Sequence, residues 1–582
     1  MTLSALQLRA TRSPGSFSKR PLERCRHASS RQLGRRETST TASPSTRFIP
    51  LPTHLPEVST TSFSNIFSRL SAKAWRERQP QKSQDALQTL RESRRLSSAL
   101  SDKAPYRIVR ALADAARDPG LLKAIPKSTL RDVTELLDPE YFVVPYRDLH
   151  NTVSLITGQK YRHASLRETF GSFERIWKGL LMVREAAGQK LSLADSTHLL
   201  KSARIAGDAT AARAIWQDMK RNEIVPNTEC YNHFLGAVAW SEAHDKMRMK
   251  LRVKTMPGSP QPDIKEAGHI SQPALELSND LLESGLQPDE ETYALMIFAM
   301  ARDGRMDDVE SVLKATWNID VRQLNDSGEG ASNPVQSYAR GSRLHPTENL
   351  ISAVALSYSI NNDIPTALML VDFISRQYQV EIKRYVFEHL FEWTFVLSEP
   401  RFNTRRVDGS TEGQLPIRST ETLLDTITSP PYNITPSMPM IDRHLKRLAR
   451  RGMLRKFKEY MAESHRLFSL SQQTFRDTHK RRVLAESLAA SGRLPLDRPE
   501  FDLDHLKRKE ELDRITNQRN ALYVERGIRY LLKGERFVAG PDQEWERREL
   551  PRMIERLREY MPETIEYKTR YNGKISLREW VT

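Results

Sequence analysis

The clearest alternation of apolar and polar positions in the chain lies between Leu193 and Asn227. Ser192 and Asp195 have the spacing of a capping box and mark the start of a first short helix, which Gly207 ends. A second helix follows, because apolar residues recur at i, i+3, i+4 and i+7. These apolar residues are Ala212, Ile215, Trp216 and Met219. The pattern predicts a unit of two helices and a turn that is 35 residues long, a length typical of helical repeats.

Three further units with the same organisation follow this first unit, and the first two of them are longer. Pro226 closes the first unit, and Pro288 lies 62 residues beyond it, which is 27 more than one repeat. Pro346 lies 58 residues beyond Pro288, which is 23 more than one repeat, and the fourth unit opens at Glu348. Insertions at the turns of a solenoid leave the stacked faces intact, so the extra residues are compatible with a continuous array.

Outside these units the pattern is weaker and predicts a coarser division of the chain. We expect the first helix of the second unit to continue as a charged extension to about Lys254, and residues 385–397 to begin a fifth unit. The predicted regions are a leader (1–60), a linker (61–103), N-terminal helices with a degenerate repeat (104–192), the repeat array (193–400), a linker loop (401–439), a basic helical hairpin (440–500) and a charged helical tail (501–582).

The charge of the chain is strongly basic, with a formal net charge of +17 over 582 residues. This indicates either a polyanionic partner or an acidic surface, or simply a basic compartment. Part of the charge lies in the leader, where ten Arg and Lys residues face only Glu23, Glu37 and Glu57 among many Ser and Thr. An Arg-rich, acid-poor start predicts a mitochondrial transit peptide, and the alternative is the basic tail of a nuclear protein.

Several kinds of chemistry have no support in the sequence. The cysteines are Cys25 and Cys230 alone, which excludes a disulfide framework and a cysteine-based zinc site. No stretch approaches the roughly 20 apolar residues of a membrane-spanning helix. Phosphate loops and metalloprotease motifs are absent, and Glu388 and His389 on an apolar helix favour packing over metal binding. We therefore expect no cofactor, no metal and no enzymatic activity.

The first unit resembles a pentatricopeptide repeat. The features that carry the resemblance are Ala206-Gly207 at the turn, Ala212, Trp216 and Met219 in the second helix, the closing Pro226-Asn227, and the Tyr231-Asn232 that opens the next unit. A tetratricopeptide repeat has a similar length and the same two-helix organisation, and is the alternative. The resemblance implies an all-α, right-handed solenoid of helical hairpins with long insertions, and single-stranded RNA as the partner.

In the family that these units resemble, each repeat reads one RNA base through its fifth residue and its last. Carried over by position, the first unit contributes Thr197 with Asn227, and the second Asn232 with Asp289. The next two units offer poorer pairs, which are Ala294 with Thr347 and Ser352 with Ile382. The alternative is that Thr and Asn at these positions are ordinary helix caps.

The second position of each unit departs from the family, which places an apolar residue there against the base. Here these positions hold Ala194, Glu229, Glu291 and Asn349. Glutamates beside an RNA path would repel phosphate. The departure therefore weakens a one-base code and leaves open either general RNA binding or a protein-binding surface.

A dense basic segment lies between residues 443 and 458 and contains no acidic residue. Its cations include Arg443, Lys446, Arg447, Arg450, Arg451 and Arg455. On a helical hairpin they would form a surface that displaces counterions from a nucleic-acid backbone. The alternative is a solvated helix face.

Taken together, the sequence predicts a mitochondrial RNA-binding factor in the matrix or at the inner-membrane surface. It would act on the stability, processing or translation of an organellar mRNA. Degenerate repeats with long insertions behind an Arg-rich leader resemble fungal mitochondrial gene-expression factors such as the mitochondrial ATPase expression proteins, and this resemblance implies an ATP synthase or respiratory-chain subunit as the narrower expectation. The competing hypothesis is a helical-repeat scaffold that binds proteins of the mitochondrial ribosome or of respiratory-complex assembly.

Overall fold

The structure is a computed structural model, and it describes the chain from residue 191 onward with gaps. The described ranges are 94–98, 191–241, 269–327, 334–399, 413–491, 502–532, 550–556, 564–569 and 573–578, with single residues at 111, 133, 144 and 548. The predicted leader and nearly all of the predicted N-terminal helical region lie outside the described residues, and so do the insertions 242–268 and 400–412.

From residue 193 onward the described secondary structure is helical up to a short C-terminal hairpin. The helices are α1 (Leu193–Ala206), α2 (Ala209–Arg221), α3 (Thr228–Ala239), α4 (Ser271–Glu283), α5 (Glu290–Arg302), α6 (Met306–Trp317), α7 (Val321–Ser327), α8 (Glu348–Ile360), α9 (Ile364–Tyr378), α10 (Arg384–Leu397), α11 (Ser419–Thr428), α12 (Met438–Arg450), α13 (Leu454–Ala490), α14 (Leu503–Leu532) and α15 (Leu550–Arg556). Two strands, β1 (Thr564–Thr569) and β2 (Gly573–Arg578), pair antiparallel with Thr564 opposite Arg578. This hairpin is an addition to the predicted all-helical architecture.

The helices stack as successive hairpins, which confirms the predicted helical-repeat solenoid. The pairs α1/α2, α3/α4, α5/α6, α8/α9 and α10/α11 each form one hairpin. The first helices of the hairpins also contact one another in order, and we call α1, α3, α5, α8, α10 and α12 the first-helix row. One continuous hydrophobic cluster runs through the array, as expected when each repeat buries its apolar surface only against its neighbours.

The two rows of helices differ in their apolar pattern because they differ in burial. A first helix is packed on nearly every side, and α5 is accordingly buried without interruption from Ala294 to Ala301. A second helix buries one stripe, which in α2 consists of Ala212, Trp216 and Met219. The stripe predicted for the first unit is therefore confirmed.

Two sequence-based expectations about element bounds are wrong. Residues 401–439 are not a loop throughout, since α11 lies within them and buries Leu423, Leu424 and Ile427 against α10. The nearby Pro and Thr residues conceal this short apolar pattern. The first helix of the second unit does not extend to Lys254. It ends at Ala239, where the carbonyls of Ala239 and Ser241 accept hydrogen bonds from the Arg302 guanidinium at 2.7 and 2.8 Å.

Helix ends in the first-helix row are satisfied by side chains of neighbouring repeats. At the carboxyl ends, Arg302 reaches back to α3, and the Asn361 side chain donates to the Ala301 carbonyl of α5 at 2.9 Å. At the amino ends, the buried Glu290 carboxylate accepts from the backbone N–H groups of Thr347 (3.0 Å) and Leu350 (2.7 Å) at the start of α8. Burial raises the pKa of Glu290, while these hydrogen bonds favour the ionised form.

In the region predicted as a basic hairpin, two helices, α12 and α13, span residues 438–490. Gly452 turns the chain with φ of 68° between α12 and α13, and α13 continues for 37 residues. The tail helix α14 packs back on both of them, and its Tyr523, Val524 and Ile528 share a second hydrophobic cluster with Phe457. The tail is therefore part of the folded C-terminal region rather than a separate extension.

The contacts between repeats predict that a buried polar side chain stabilises the stack. Replacing Asn361 with Ala removes the donor to the Ala301 carbonyl, and a buried acceptor without a partner costs about 1–3 kcal/mol. We expect the free energy of unfolding, measured by denaturant titration, to fall by that amount. Asn222→Ala is the control, because Asn222 is exposed and bonds only within its own hairpin. An equal, small effect of both changes would contradict the role assigned to Asn361.

Candidate nucleic-acid interface

The second predicted base-reading pair is brought together in spite of the insertion that separates its members. The Asn232 amide donates to both carboxylate oxygens of Asp289, at 3.0 and 3.1 Å, across 57 residues of sequence. Its carbonyl oxygen accepts from the Thr292 hydroxyl at 2.7 Å. Asp289 also caps α5 by accepting from the Thr292 N–H. Since Asn232 is only 2% exposed, this trio joins α3 to α5 as well as marking the predicted reading position.

The first predicted pair, Thr197 and Asn227, converges on Cys230 at the equivalent junction. The Thr197 hydroxyl lies 3.2 Å from the Cys230 sulfur, and the Asn227 side chain accepts from the Cys230 N–H at 2.9 Å. Cys230 is the third residue after the cap, as Thr292 is at the next junction. Thr197 and Asn227 are half-buried, so their polar atoms are less enclosed than those of Asn232.

The next two junctions differ from this arrangement. Thr347 caps α8, and its hydroxyl donates to the Glu290 carboxylate at 2.9 Å instead of meeting a polar fifth residue. Ala294 and Ile382 are buried apolar side chains in the hydrophobic core. Glu290 was not among the predicted site residues, and its signal in the sequence is an acidic residue directly after the cap Asp289.

Of the two glutamates at the second positions, Glu291 has a cationic partner on another helix, and Glu229 has only a long contact within its own helix. Glu291 of α5 pairs with Arg204 of α1 at 2.5 Å, and Glu229 lies 3.7 Å from His233. An Arg204 nitrogen also lies 3.3 Å from His233 Nδ1. Burial and the nearby positive charge of Arg204 lower the pKa of His233 to about 3, so the ring is neutral at physiological pH. The Glu291 charge is thus compensated within the row.

The basic residues of α12 do not form one free cationic surface. Arg447 is 2% exposed, and its guanidinium donates to the Ser398 hydroxyl (2.9 Å), to the Ser398 carbonyl (3.1 Å) and to the Thr420 hydroxyl. It thereby joins α12 to the end of α10 and the start of α11. Burial lowers its pKa, although Arg447 remains within the range where guanidinium is protonated. A side chain enclosed in this way does not reach a phosphate.

Most of the other predicted cations of this segment form ion pairs with glutamates, and one lies over an aromatic ring. Arg443 pairs with Glu392, Arg450 with Glu399, and Arg451 with Glu421 at 2.5 Å. Lys446 lies over the Phe395 ring at 5.7 Å, and burial lowers its pKa. The glutamates belong to α10, α11 and the segment after α10, so the acid-free segment was balanced by acids that lie elsewhere in the sequence. Only the tertiary structure shows this pairing.

Arg455 on α13 is the predicted cation that remains most accessible. Its side chain is 95% exposed and has only a long contact of 3.5 Å to Glu459 in the next turn. Lys456 reaches Glu421 at 3.7 Å, from a half-exposed position. The electropositive part of this region is therefore at the start of α13 rather than along α12.

The described residues give no support for other kinds of site. Within them, no group of His, Cys, Asp and Glu side chains has the arrangement of a metal site. Glu388 instead lies 3.6 Å from Arg384. Among the helices that the structure describes, none combines the length and apolar character that crossing a bilayer requires.

Two family models match the chain, and both fall on the helical array. A pentatricopeptide repeat domain matches residues 181–239, which include α1, α2 and α3. A family described as mitochondrial ATPase expression matches residues 290–407, which include α5 to α10. The pentatricopeptide repeat-containing protein 6, mitochondrial, of Schizosaccharomyces pombe is 20% identical over 225 residues, covering 37% of this chain. The match spans 45% of that relative's length, less than half.

Solved structures of one pentatricopeptide repeat protein also align with this chain, at a lower sequence identity than the fission-yeast relative. The maize protein PPR10 aligns with a TM-score of 0.35 and 11% identity, covering 80% of this chain and 62% of its own. PPR10 in complex with an 18-nt psaJ RNA element aligns with a TM-score of 0.31 and 10% identity, covering 70% and 49%.

The pentatricopeptide repeat match includes the unit from Leu193 to Asn227, whose residues carried the resemblance. The two matched ranges fall on hairpins of one stacked array. Residues 181–239 therefore match a pentatricopeptide repeat domain, and the central hairpins match the mitochondrial ATPase expression family.

Proposed function

We propose that the first-helix row binds single-stranded mitochondrial RNA, and that the protein acts after transcription on an organellar messenger. At the two predicted base-reading pairs, Thr197, Asn227 and Asp289 are the proposed contacts to bases, and Asn232, which is 2% exposed, holds Asp289 in place. Short hydroxyl, amide and carboxylate side chains offer the donors and acceptors that match the edge of a base. The proposed role is binding, without a catalytic step.

One observation carries this proposal: the same polar trio recurs at two successive junctions. Asn232, Asp289 and Thr292 meet at one junction, and Thr197, Asn227 and Cys230 occupy the equivalent positions at the junction before it. A row that reads one base per repeat requires such periodic placement. The insertion 242–268 does not disturb it, since Asn232 and Asp289 meet across that segment.

The narrower proposal concerns the messenger. Residues 290–407 match the mitochondrial ATPase expression family, and the similar fission-yeast protein is named as mitochondrial. We therefore propose that the RNA encodes a subunit of the ATP synthase or of the respiratory chain. Its stability, processing or translation would depend on the bound protein. The proposed location is the matrix, including the surface of the inner membrane.

A protein-binding scaffold is the second candidate, and a specific observation favours it. The first-helix row carries Glu229, Glu291 and Asn349 at positions where an apolar side chain would pack on a base. Pairing of Glu291 with Arg204 compensates its charge but does not create an apolar platform. A scaffold of this kind would bind components of the mitochondrial ribosome or of respiratory-complex assembly.

RNA crosslinking separates these two functions. If the row binds RNA, crosslinking in intact cells followed by sequencing of the attached RNA will enrich one or a few mitochondrial transcripts. Enrichment of no message, together with comigration of the protein with a large complex after nuclease treatment, would favour the scaffold instead. The transcript found also decides the narrower proposal about ATP synthase and respiratory-chain messengers.

Replacement of Asn227 tests the assigned base contact. Asn227→Ala removes the side-chain carbonyl and is expected to weaken binding to the enriched RNA by about 1 kcal/mol, roughly a fivefold loss. The change also removes a helix cap, so thermal unfolding must be measured in parallel. Asn222→Ala is the matched control on the second helix of the same hairpin. If both variants bind the RNA like the unchanged protein, the assignment of Asn227 fails.

The basic segment gives a prediction that distinguishes exposed from buried cations. Arg455→Glu, at an exposed position, is expected to lower RNA affinity and reduce the dependence of affinity on salt, while thermal stability stays the same. Arg447→Met, at a buried position, is expected to lower the free energy of unfolding by about 1–3 kcal/mol because Ser398 and Thr420 lose their donor. Unchanged affinity of the Arg455→Glu variant across a salt titration would remove this segment from the interface.

A further inference from the structure

The insertion after α7 ends in an ordered segment, residues 334–347, which we call the strap. Its first half is held at the carboxyl end of α6, where the Gln336 N–H donates to the Trp317 carbonyl at 2.9 Å and the Tyr338 hydroxyl donates to the Thr316 carbonyl at 2.7 Å. The Tyr378 hydroxyl of α9 donates to the Gln336 carbonyl at 2.8 Å. The strap therefore crosses from one hairpin to the next along a fixed path.

The second half of the strap is held at the amino end of α5. The Glu290 N–H donates to the Arg343 carbonyl at 2.8 Å, and the Trp317 indole donates to the Leu344 carbonyl at 2.9 Å. Glu290 directly follows Asp289, the cap that binds Asn232. The backbone of Arg343 is thus adjacent to one of the two proposed base-reading positions.

Between these two anchors the strap makes an exposed turn with an arginine on each side. The Ser342 N–H donates to the Ala339 carbonyl at 2.9 Å, and Gly341 has φ of 93° with open space around it. Arg340, Gly341, Ser342 and Arg343 are all exposed. We call residues 339–343 the basic turn.

The cations of the basic turn lack the carboxylate partners that other arginines of the array have. Arg340 donates to the neutral Gln379 side chain at 3.0 Å, and within the described part of the chain neither Arg340 nor Arg343 forms an ion pair. The nearby carboxylates are engaged elsewhere: Asp289 with Asn232, Glu290 with α8, and Glu291 with Arg204. Among the described residues, neither positive charge has a carboxylate partner; Arg343 lies beside the amino end of α5, and Arg340 lies beside the carboxyl end of α9.

We propose that the basic turn binds backbone phosphates of an RNA strand that lies over the Asn232/Asp289 junction, an inference that rests on the proposed RNA-binding function. Arginine suits this role because its guanidinium donates to two phosphate oxygens at once. Arg340 keeps free donors for a phosphate after its bond to Gln379, since a guanidinium has five N–H groups. The strap positions the strand, and the junction residues contact the base.

The proposed contacts matter more here because the junction itself is poor in cations. Thr197, Asn227, Asn232 and Asp289 supply no positive charge, and Arg204 is paired with Glu291. Phosphates that approach Asp289 and Glu291 would meet carboxylates first. An insertion that adds two arginines beside them compensates this charge without changing the stacked helices.

The test replaces both arginines and compares the result with a matched double variant. Arg340→Gln/Arg343→Gln removes two charges from the basic turn, and Arg213→Gln/Lys220→Gln removes two charges from exposed positions on α2. Binding of the full chain to a labelled pool of random single-stranded RNA is measured over a range of salt concentrations. Thermal unfolding of each variant is measured alongside.

The basic-turn variant is expected to bind more weakly, with a log–log salt slope that is smaller by roughly 1.4, since each phosphate contact to a single strand contributes about 0.7. The α2 variant is expected to keep the slope of the unchanged protein, and both variants are expected to keep its unfolding temperature. Equal losses in both variants would show an effect of net charge and overturn the proposal.

Two further outcomes separate this proposal from the proposed function. If the unchanged protein binds RNA and the basic-turn variant binds it with the same affinity and slope, the basic turn has no role and RNA binding stands. If the unchanged protein binds no RNA, the proposed function fails and this inference fails with it. Binding of an acidic protein through the basic turn, in the absence of RNA binding, would assign the surface to another partner.

Discussion

The stack depends on how the ends of its first helices are satisfied. A helix leaves N–H groups at one end and carbonyls at the other without partners inside the helix. In this protein neighbouring repeats supply those partners: Glu290 receives the first N–H groups of α8, while Arg302 and Asn361 donate to the last carbonyls of the preceding first helices. The hydrophobic core holds the hairpins together, but apolar packing tolerates some sliding. Directional hydrogen bonds at both ends of a buried helix fix the register.

This constraint explains how long insertions coexist with regular placement of functional residues. After residues 242–268 the chain enters α4, where the Ile270 and Ser271 N–H groups donate to Asp303 at the end of α5. After the strap it enters α8, whose first N–H groups donate to Glu290 at the start of α5. Asn232 and Asp289 meet although they lie 57 residues apart in the sequence, which is more than the length of one repeat. The same insertions are then available for other roles. One of them returns to the row through the basic turn, next to the junction.

A dense run of basic residues in this sequence does not by itself indicate a positively charged surface, because many of these side chains are paired in the fold. The segment from Arg443 to Arg455 is the densest basic run near the array, yet most of its arginines bind carboxylates of α10 and α11 or, for Arg447, buried hydroxyl and carbonyl groups. Removing such a partner would leave a buried charge or donor unsatisfied. The main role of these paired arginines is therefore to stabilise the fold. Within that segment Arg455 is the most exposed arginine, and Arg340 and Arg343 of the basic turn are exposed as well.

The sequence by itself determined the repeat unit and most of the helix positions in the array, because helical periodicity and turn residues are local properties that a linear pattern records. The stripe of Trp216 and Met219 and the turn at Gly452 were accessible in this way. The tertiary structure alone decided which polar residues are free. Burial of Arg447, the lock on Asn232 and the helix hidden before Pro430 depend on residues far away in sequence. A side chain's availability is set by its neighbours in space, and these neighbours are not encoded in its local pattern.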